Sequence, residues 1–150
     1  MSATGLEVFD RTLQITNIWL DEMMDVIGPD RKAAWHVLGA VLRTVRDRLP
    51  AELAAHLGAQ LPLLVRGTYY DRFRASRAPL ELDTADEFLA HVSQDFAGSW
   101  PVDVRLATSA VFAVMDRHMT SGITDKVRQS LPSDVRRMWV EPSSFIDELG

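Results

Sequence analysis

The sequence has no cysteine among its 150 residues, which excludes disulfides, thiol nucleophiles and thiolate metal sites and fits a reducing compartment. No apolar run approaches the about 18 residues that a membrane-spanning helix needs. The first residues lack the charged and apolar regions of a signal peptide. No five-residue stretch alternates cleanly with β-branched residues, so no strand is predicted. We therefore expect an all-α protein of the cytoplasm that does not enter the membrane.

Recognisable catalytic and metal-binding motifs are also missing. The sequence has no glycine-rich phosphate loop, no Gly-x-Ser-x-Gly elbow and no Ser/His/Asp spacing. The four histidines, His36, His56, His91 and His118, form no His-Glu-x-x-His zinc motif, and no carboxylate cluster completes a ligand set. We predict no cofactor and no metal. An enzyme is disfavoured but stays open, because helical proteins can assemble a site from distant residues.

Charge is distributed unevenly along the chain, although the net charge is only −5. Residues 1–30 contain one basic and six acidic residues, residues 31–77 nine and three, and residues 78–150 six and twelve. The simpler interpretation is that the basic middle segment docks on its acidic flanks. The alternative is a basic surface that binds an anion. The sequence pI of about 5.3 disfavours nonspecific nucleic-acid binding, which relies on counterion release.

A six-residue motif occurs twice, 70 positions apart, as Leu61-Pro62-Leu-Leu-Val65-Arg66 and Leu131-Pro132-Ser-Asp-Val135-Arg136. The offset holds without a gap between residues 18–70 and 88–140, where eight of the 53 paired positions are identical. The segments match by apolar position more than by identity, as expected of duplicated units that pack on each other. We predict a single domain, residues 1–150, made of these two related helical units by internal duplication, since two copies are too few for an open solenoid.

Apolar spacing and helix-start signals predict about eight or nine helices. Leu6, Phe9 and Leu13 indicate a short first helix, and Thr16 is expected to cap the next one. Pro62 and Pro132 are each expected at the first position of a helix. A capping box, Thr84-Ala-Asp-Glu87, is expected to open another helix, and Pro101 to begin a further one. The other predicted spans are 17–27, 31–48, 51–57, 85–96, 101–118, 122–129 and 144–149.

The two longest predicted helices, 31–48 and 101–118, are expected to lie in the core. Tyr69 is also expected to be buried, since it matches Trp139 at the offset of 70. His36 lies opposite the apolar stripe and should be solvated, and His118 should favour the negative end of its helix dipole. The residues predicted to line the core helices are Val37, Leu38, Val41, Leu42, Val45, Val111, Phe112 and Met115.

Charged residues are identical in both units at two paired positions, Asp25/Asp95 and Arg66/Arg136. Each unit thus has one acid on its first helix and one base on its last. We hypothesise that Asp25 pairs with Arg66 and Asp95 with Arg136. The alternative is coincidence between two helix surfaces.

The segment 66–77 is the best candidate for a functional site, because four arginines alternate with three aromatic residues there. Arginine binds phosphate with two parallel hydrogen bonds, and aromatic faces can stack on bases. The more conservative interpretation is a helix end and linker that packs the two units together. The residues assigned to a possible anion site are Arg66, Tyr70, Arg72, Arg74 and Arg77.

Several motifs together resemble the bacterial domain-of-unknown-function family numbered 2267, over nearly the whole chain. The resemblance implies an all-helical fold and a bacterial origin, with an association with stress or dormancy, and it implies no activity, cofactor or substrate. The motifs that carry it are Thr16-Asn17-x-Trp19-Leu20, Arg46-Asp47-Arg48-Leu49-Pro50, Ala59-Gln60-Leu61-Pro62, Arg66-Gly67-x-Tyr69-Tyr70, Leu131-Pro132 and Arg136-x-x-Trp139.

Three functions remain open at this point. The first is a non-catalytic helical interaction or regulatory module whose protein partner is unknown, with a homodimer as one possibility. The second is an anion-binding protein for a nucleotide or nucleic acid. The third is an enzyme with a site between the two units, for which no residue can be named.

Overall fold

The structure, a computed structural model, describes residues 3–96 and 103–139. Every regular element in these two ranges is helical, which confirms the predicted all-α class. None of the described helices is long and apolar enough to cross a membrane. The helices are α1 (Glu7–Ile27), α2 (Arg31–Arg48), α3 (Ala51–Gln60), α4 (Leu63–Tyr70), α5 (Ala85–Asp95), α6 (Val104–His118), α7 (Ser121–Ser130) and α8 (Ser133–Arg136), with one 3₁₀ turn, Ala75–Arg77.

The first helix, α1, is continuous where the sequence indicated two helices. The prediction that Thr16 caps a second helix was wrong, because Thr16 lies inside α1 with its side chain buried. Tertiary packing explains the difference. The helix α1 packs on α2, α4 and α6, and the backbone N–H of Leu64 donates to Oγ1 of Thr12 at 3.2 Å. These contacts outweigh the local preference of threonine for a helix end.

The second helix, α2, is the centre of the described fold, because α1, α3, α4, α5 and α6 all pack against it. It begins after Asp30, whose carboxylate accepts a hydrogen bond from the N–H of Ala33 at 3.1 Å. The predictions for Tyr69 and Trp139 are confirmed, since both side chains are buried. The eight residues predicted to line the core helices are also all buried, which confirms Val37, Leu38, Val41, Leu42, Val45, Val111, Phe112 and Met115.

Several helix starts differ from prediction by a few residues. Pro62 and Pro132 have extended backbones, with ψ of 151° and 152°, so each is the N-cap of its helix rather than the first helical residue. The helix α6 begins directly after Asp103, whose carboxylate accepts hydrogen bonds from the first backbone N–H groups. The predicted helix start at Pro101 and the predicted helix 144–149 lie outside the described residues.

Other helix ends follow the sequence closely. Thr84 caps α5 as predicted, since its Oγ1 accepts a hydrogen bond from the N–H of Glu87 at 3.1 Å. The predicted capping box is only half formed, because the carboxylate of Glu87 accepts from the Thr84 hydroxyl at 3.1 Å rather than from the backbone N–H of Thr84. Gly28 ends α1 with a φ of 110°, a conformation that favours glycine. The helices α3 and α7 are longer than predicted, and their bounds of 51–60 and 121–130 keep the offset of 70 found in the sequence.

The junction of α1 and α6 contains a carboxylate held by an arginine and a histidine. Nη1 of Arg117 donates to Oε1 of Glu22 at 2.5 Å, and Nε2 of His118 hydrogen-bonds to the other carboxylate oxygen. The ring of His118 also stacks on Trp19 at 5.7 Å between centroids. His118 therefore lies in the last turn of its helix, as predicted, but it also joins two helices. Burial raises the pKa of the Glu22 carboxyl, but the hydrogen bonds and charges of Arg117 and His118 outweigh that effect and leave the pKa below its ordinary value.

Candidate anion-binding site

The linker between α4 and α5 lies along α2 and is held there by α2 itself. Nη1 of Arg46 donates to the carbonyl oxygens of Tyr69 and Asp71, both at 2.7 Å. The backbone N–H of Leu80 donates to the carbonyl oxygen of Asp47 at 2.7 Å. These bonds fix both ends of the segment 71–80 and present its arginines beside α2 and α5.

A buried ion pair joins α2 to α5 next to this linker. Arg43 binds Asp95 through two hydrogen bonds, Nε to Oδ2 at 2.7 Å and Nη2 to Oδ1 at 3.1 Å. Nη1 of Arg43 also donates to the hydroxyl of Thr68 at 2.8 Å, so α4 joins the same network. Nη2 of Arg72 donates to Oδ1 of Asp95 at 2.9 Å. The predicted pairing of Asp95 with Arg136 was therefore wrong, because Asp95 turns into the interface with α2.

The predicted pairing of Asp25 with Arg66 was also wrong. Nη2 of Arg66 donates to the carbonyl oxygens of Ala59 at 3.2 Å and Leu61 at 3.0 Å. Carbonyls at a helix C-terminus lack intrahelical donors and carry partial negative charge. A guanidinium group supplies the missing donors and a positive charge. Asp25 is exposed and forms no ion pair within the described ranges. The arginine of the repeated motif thus closes the end of α3.

Three of the five predicted anion-site residues line one cavity, which we call the arginine cleft. Arg72, Arg74 and Arg77 surround a volume of about 340 Å³ together with Asp47 and His91. Arg74 and Arg77 are exposed, and neither forms an ion pair within residues 3–96 and 103–139. Arg72 has a φ of 59°, a left-handed backbone conformation that is uncommon for a residue with a side chain.

The other two predicted residues lie outside this cleft. Arg66 closes α3, as described above. The ring of Tyr70 packs 5.0 Å from that of Tyr69 and 6.0 Å from that of Phe73, between centroids. It also covers Gly58, where an added Cβ would lie 2.5 Å from the Tyr70 hydroxyl oxygen. Tyr70 therefore serves a packing role between α3, α4 and the linker.

A larger cavity of about 650 Å³ lies on the other side of Arg72, and we call it the ring cavity. The first half of α2, the end of α4 and the end of α5 form its walls. A smaller space of about 240 Å³ that is also lined by Arg72 lies between the two. The aromatic residues of the ring cavity are Trp35, His36 and Phe96, its cationic residues Lys32, Arg43 and Arg72, and its carboxylates Asp30, Asp71 and Asp95.

His91 is a cleft residue that the sequence did not indicate. Its Nδ1 lies 2.9 Å from Oγ1 of Thr44, and that hydroxyl also lies 2.9 Å from the carbonyl oxygen of Ala40. Since the hydroxyl donates to Ala40, it accepts a hydrogen bond from Nδ1 of His91. Nε2 lies 3.9 Å from Oδ2 of Asp47. No local pattern in the sequence indicates this contact, because Thr44 and His91 are 47 positions apart.

The contacts of the basic segment, residues 31–77, agree in part with each interpretation of the charge pattern, docking on the acidic flanks and an anion-binding surface. Arg31, Arg43, Arg48 and Arg72 pair with acids of the flanking segments, as docking requires. Lys32, Arg66, Arg74 and Arg77 form no ion pair within the part of the chain that the structure describes. In that part no group of three or more histidines and acids could hold a metal ion. The cleft can therefore offer cationic donors to an anion.

Comparison with known proteins identifies the family but no activity. No curated protein matches the chain. A family model described as Uncharacterized conserved protein (DUF2267) matches residues 16–138, a span that includes α2 to α7 and the arginine cleft. The chain belongs to this family.

Proposed function

We propose that the chain is a non-catalytic helical binding module, and that it binds an anion in the arginine cleft. The position of Arg72, Arg74 and Arg77 around one open cavity supports this proposal. Like charges that are held close together repel each other, and an anion among them relieves that repulsion. Guanidinium groups bind phosphate oxygens in pairs, so a phosphoryl group is the ligand that we expect.

The position of the cleft supports a regulatory role for this binding. We infer that residues 18–70 and 88–140 are duplicated units, and the cleft is formed where the linker between them meets α2 and α5. A ligand that bridges the linker and α5 would change how the two units are held together. We propose that this change alters the surface offered to a protein partner in the bacterial cytoplasm.

A thermal-shift experiment tests the anion site. The full chain is melted with and without inorganic tripolyphosphate at constant ionic strength. Tripolyphosphate at about 100 times its Kd should stabilise the fold by about 2.7 kcal/mol, which corresponds to a rise in Tm of about 5–10 °C for a chain of this size. The double variant Arg74→Ala/Arg77→Ala should lose the shift and still fold, because both side chains are exposed.

The control variant is Arg136→Ala. Arg136 is an exposed arginine on α8 that lies outside the cleft, so this variant should keep the shift. An unchanged shift in Arg74→Ala/Arg77→Ala, or an equal loss in Arg136→Ala, would show that tripolyphosphate binds through general surface charge. Either outcome would refute the assignment of the cleft.

A second candidate function is self-association through α1. Leu6, Phe9 and Leu13 are 51%, 47% and 43% exposed. At 100° per residue they fall within about 60° of each other, on the same stripe as Leu20 and Ile27. Leu20 and Ile27 are buried, so the described residues cover the C-terminal part of the stripe. They leave its N-terminal part, with Leu6, Phe9 and Leu13, exposed. An exposed apolar stripe of this kind indicates a protein contact.

A second copy of this chain fits the stripe. In an antiparallel pairing of two α1 helices centred on Phe9, the exposed stripe of one chain lies against the same stripe of its partner, as two-fold symmetry requires. Sedimentation equilibrium should detect a concentration-dependent dimer that Phe9→Glu abolishes. The variant Ile18→Glu, on the same helix but outside the stripe, should leave it intact. A monomer at every concentration would refute self-association.

A further inference from the structure

We infer that the ligand is a nucleoside phosphate, with its phosphates in the arginine cleft and its base in the ring cavity. The inference rests on the proposed anion binding and adds the class of ligand. It follows from the charges of the two cavities, from the aromatic residues of the larger one and from the position of Arg72 between them.

Charge differs between the two cavities. The arginine cleft has three arginines and a single carboxylate, that of Asp47. In the ring cavity three cations are matched by three carboxylates. An elongated ligand with one anionic end and one uncharged end fits this pair of cavities. A nucleoside phosphate has that distribution of charge.

Aromatic side chains form walls of the ring cavity. Trp35 and His36 are consecutive on α2, so their side chains leave the helix about 100° apart and line different walls. Trp35 is half-buried and packs against the core, which fixes its position. The ring of His36 is exposed and meets Phe96 edge to face, at 6.1 Å between centroids and 89° between planes. Nucleobases stack on aromatic faces of this kind.

One carboxylate of the ring cavity is suited to hydrogen-bond a base or a ribose. Asp95 already accepts three hydrogen bonds from Arg43 and Arg72, and Asp30 caps the start of α2. The side chain of Asp71 is 63% exposed and has only a 3.7 Å contact with Arg72. Its oxygens can accept from the amino group of a base or from a ribose hydroxyl.

Arg72 joins the two cavities, since it lines both. It donates to Asp95, but the side chain of Arg72 is 69% exposed and that of Asp95 only 8%. The buried Arg43 already neutralises Asp95 through two hydrogen bonds. Arg72 can therefore turn to a phosphate oxygen without leaving a buried carboxylate unpaired.

The same charges argue against a nucleic-acid strand. Proteins that bind single strands use a groove whose cations follow the backbone. Of the two cavities only the arginine cleft has more cations than carboxylates, because the cations and carboxylates that line the ring cavity are equal in number. A single nucleotide places its phosphates together in one cavity and its base in the other.

Isothermal titration of the full chain tests this inference with four probes at constant ionic strength: ATP, tripolyphosphate, adenosine and a short oligothymidylate. If the base stacks in the ring cavity, ATP should bind about tenfold more tightly than tripolyphosphate. The variant His36→Ala should reduce the affinity for ATP to that for tripolyphosphate and leave the affinity for tripolyphosphate unchanged. The matched control is His56→Ala, because His56 is an exposed histidine of α3 outside both cavities.

The outcomes separate this inference from the proposed function. Equal affinities for ATP and tripolyphosphate would overturn the inference and leave the anion site in place. No binding of either probe would overturn both. Tighter binding of oligothymidylate than of ATP would overturn the inference in favour of a nucleic-acid strand. An equal effect of His36→Ala and His56→Ala would also overturn it, since the base would then lie outside the ring cavity.

Discussion

At the scale of single residues, the ion pair of Arg43 and Asp95 makes a specific prediction about stability. The two side chains are 10% and 8% exposed. Removal of one partner from such a pair leaves the other charge buried without compensation, which typically costs about 3–5 kcal/mol, whereas apolar replacement of both is often nearly neutral. We expect Arg43→Met to lower the free energy of unfolding by about 3 kcal/mol. The double variant Arg43→Met/Asp95→Leu should lose less than Arg43→Met alone.

Urea unfolding followed by circular dichroism compares four proteins: the wild-type chain, Arg43→Met, Asp95→Leu and the double variant. A double variant that loses as much as the sum of Arg43→Met and Asp95→Leu would contradict the prediction, because two independent sites add and a coupled pair does not.

Glu22 gives a second prediction at this scale, for the dependence of stability on pH. Its pKa in the folded protein is below the ordinary value, so the ionised carboxylate stabilises the fold above the unfolded-state pKa of about 4.3. That stabilisation is lost as the pH falls through the lower, folded-state pKa. We expect Glu22→Gln to lower stability at neutral pH and to make it less dependent on pH in the acidic range.

Thermal melts of both proteins between neutral and acidic pH test this expectation. The control is Asp25→Asn, three residues further along α1, where the carboxylate is exposed and has no ion pair within the described residues. If Glu22→Gln and Asp25→Asn change the pH dependence of stability equally, then the contacts of Glu22 with Arg117 and His118 do not cause that dependence.

At the scale of helices, the different surroundings of Gly58 and Gly67 lead us to expect opposite effects of a glycine-to-alanine substitution. Glycine in a helix interior is about 1 kcal/mol less favourable than alanine. An added Cβ at Gly67 in α4 meets nothing within 4 Å, whereas at Gly58 in α3 it would lie 2.5 Å from the ring hydroxyl of Tyr70. We expect Gly67→Ala to raise Tm by a few degrees. Gly58→Ala should gain less or destabilise, because the ring of Tyr70 has to move.

Differential scanning calorimetry of the two variants compares them directly. A larger gain for Gly58→Ala than for Gly67→Ala would show that Tyr70 does not occupy the space above α3.

Helices with strong local signals were predicted well, and helices whose surroundings override those signals were not. The span 31–48 and the N-cap Thr84 of α5 agree with the structure because apolar spacing and a local hydrogen bond determine them. The prediction that Thr16 caps a helix failed because a threonine before an apolar run gives the same sequence pattern whether α1 ends there or continues. At 100° per residue, Arg43 and Arg46 fall away from the apolar stripe of α2, a position that predicts exposed side chains. Both are buried, because α2 is covered by five helices and a linker rather than along one face.

At the scale of the whole molecule, the contacts between the first and second halves predict that neither folds alone. The helix α2 packs against α5 and α6, and α1 packs against α6. A fragment of residues 1–83 would expose these faces and leave Arg43 without its partner Asp95. We expect the fragment to show no cooperative thermal transition by circular dichroism, in contrast to the full chain. A cooperative melt of the fragment would show that the first half is an independent domain.

Only those residues of the candidate site that are close together in the sequence could be predicted. The arginines of the segment 72–77 were identified because they are close together and alternate with aromatic residues. His91, Lys32 and Trp35 come from other helices, and their proximity depends on how α2 and α5 cross. A single sequence contains no local pattern for that crossing, so the ring cavity could not be foreseen.

The bond between Arg43 and Asp95 also restricts how this chain can evolve. The two residues are 52 positions apart, and at the offset of 70 Arg43 corresponds to Ala113, so the second half has no arginine at that place. A mutation that removes one partner leaves the other charge buried, whereas apolar replacement of both partners avoids that cost. We therefore expect descendants of this sequence to keep both residues or to replace both by apolar ones, so that a change in one half of the chain constrains the other.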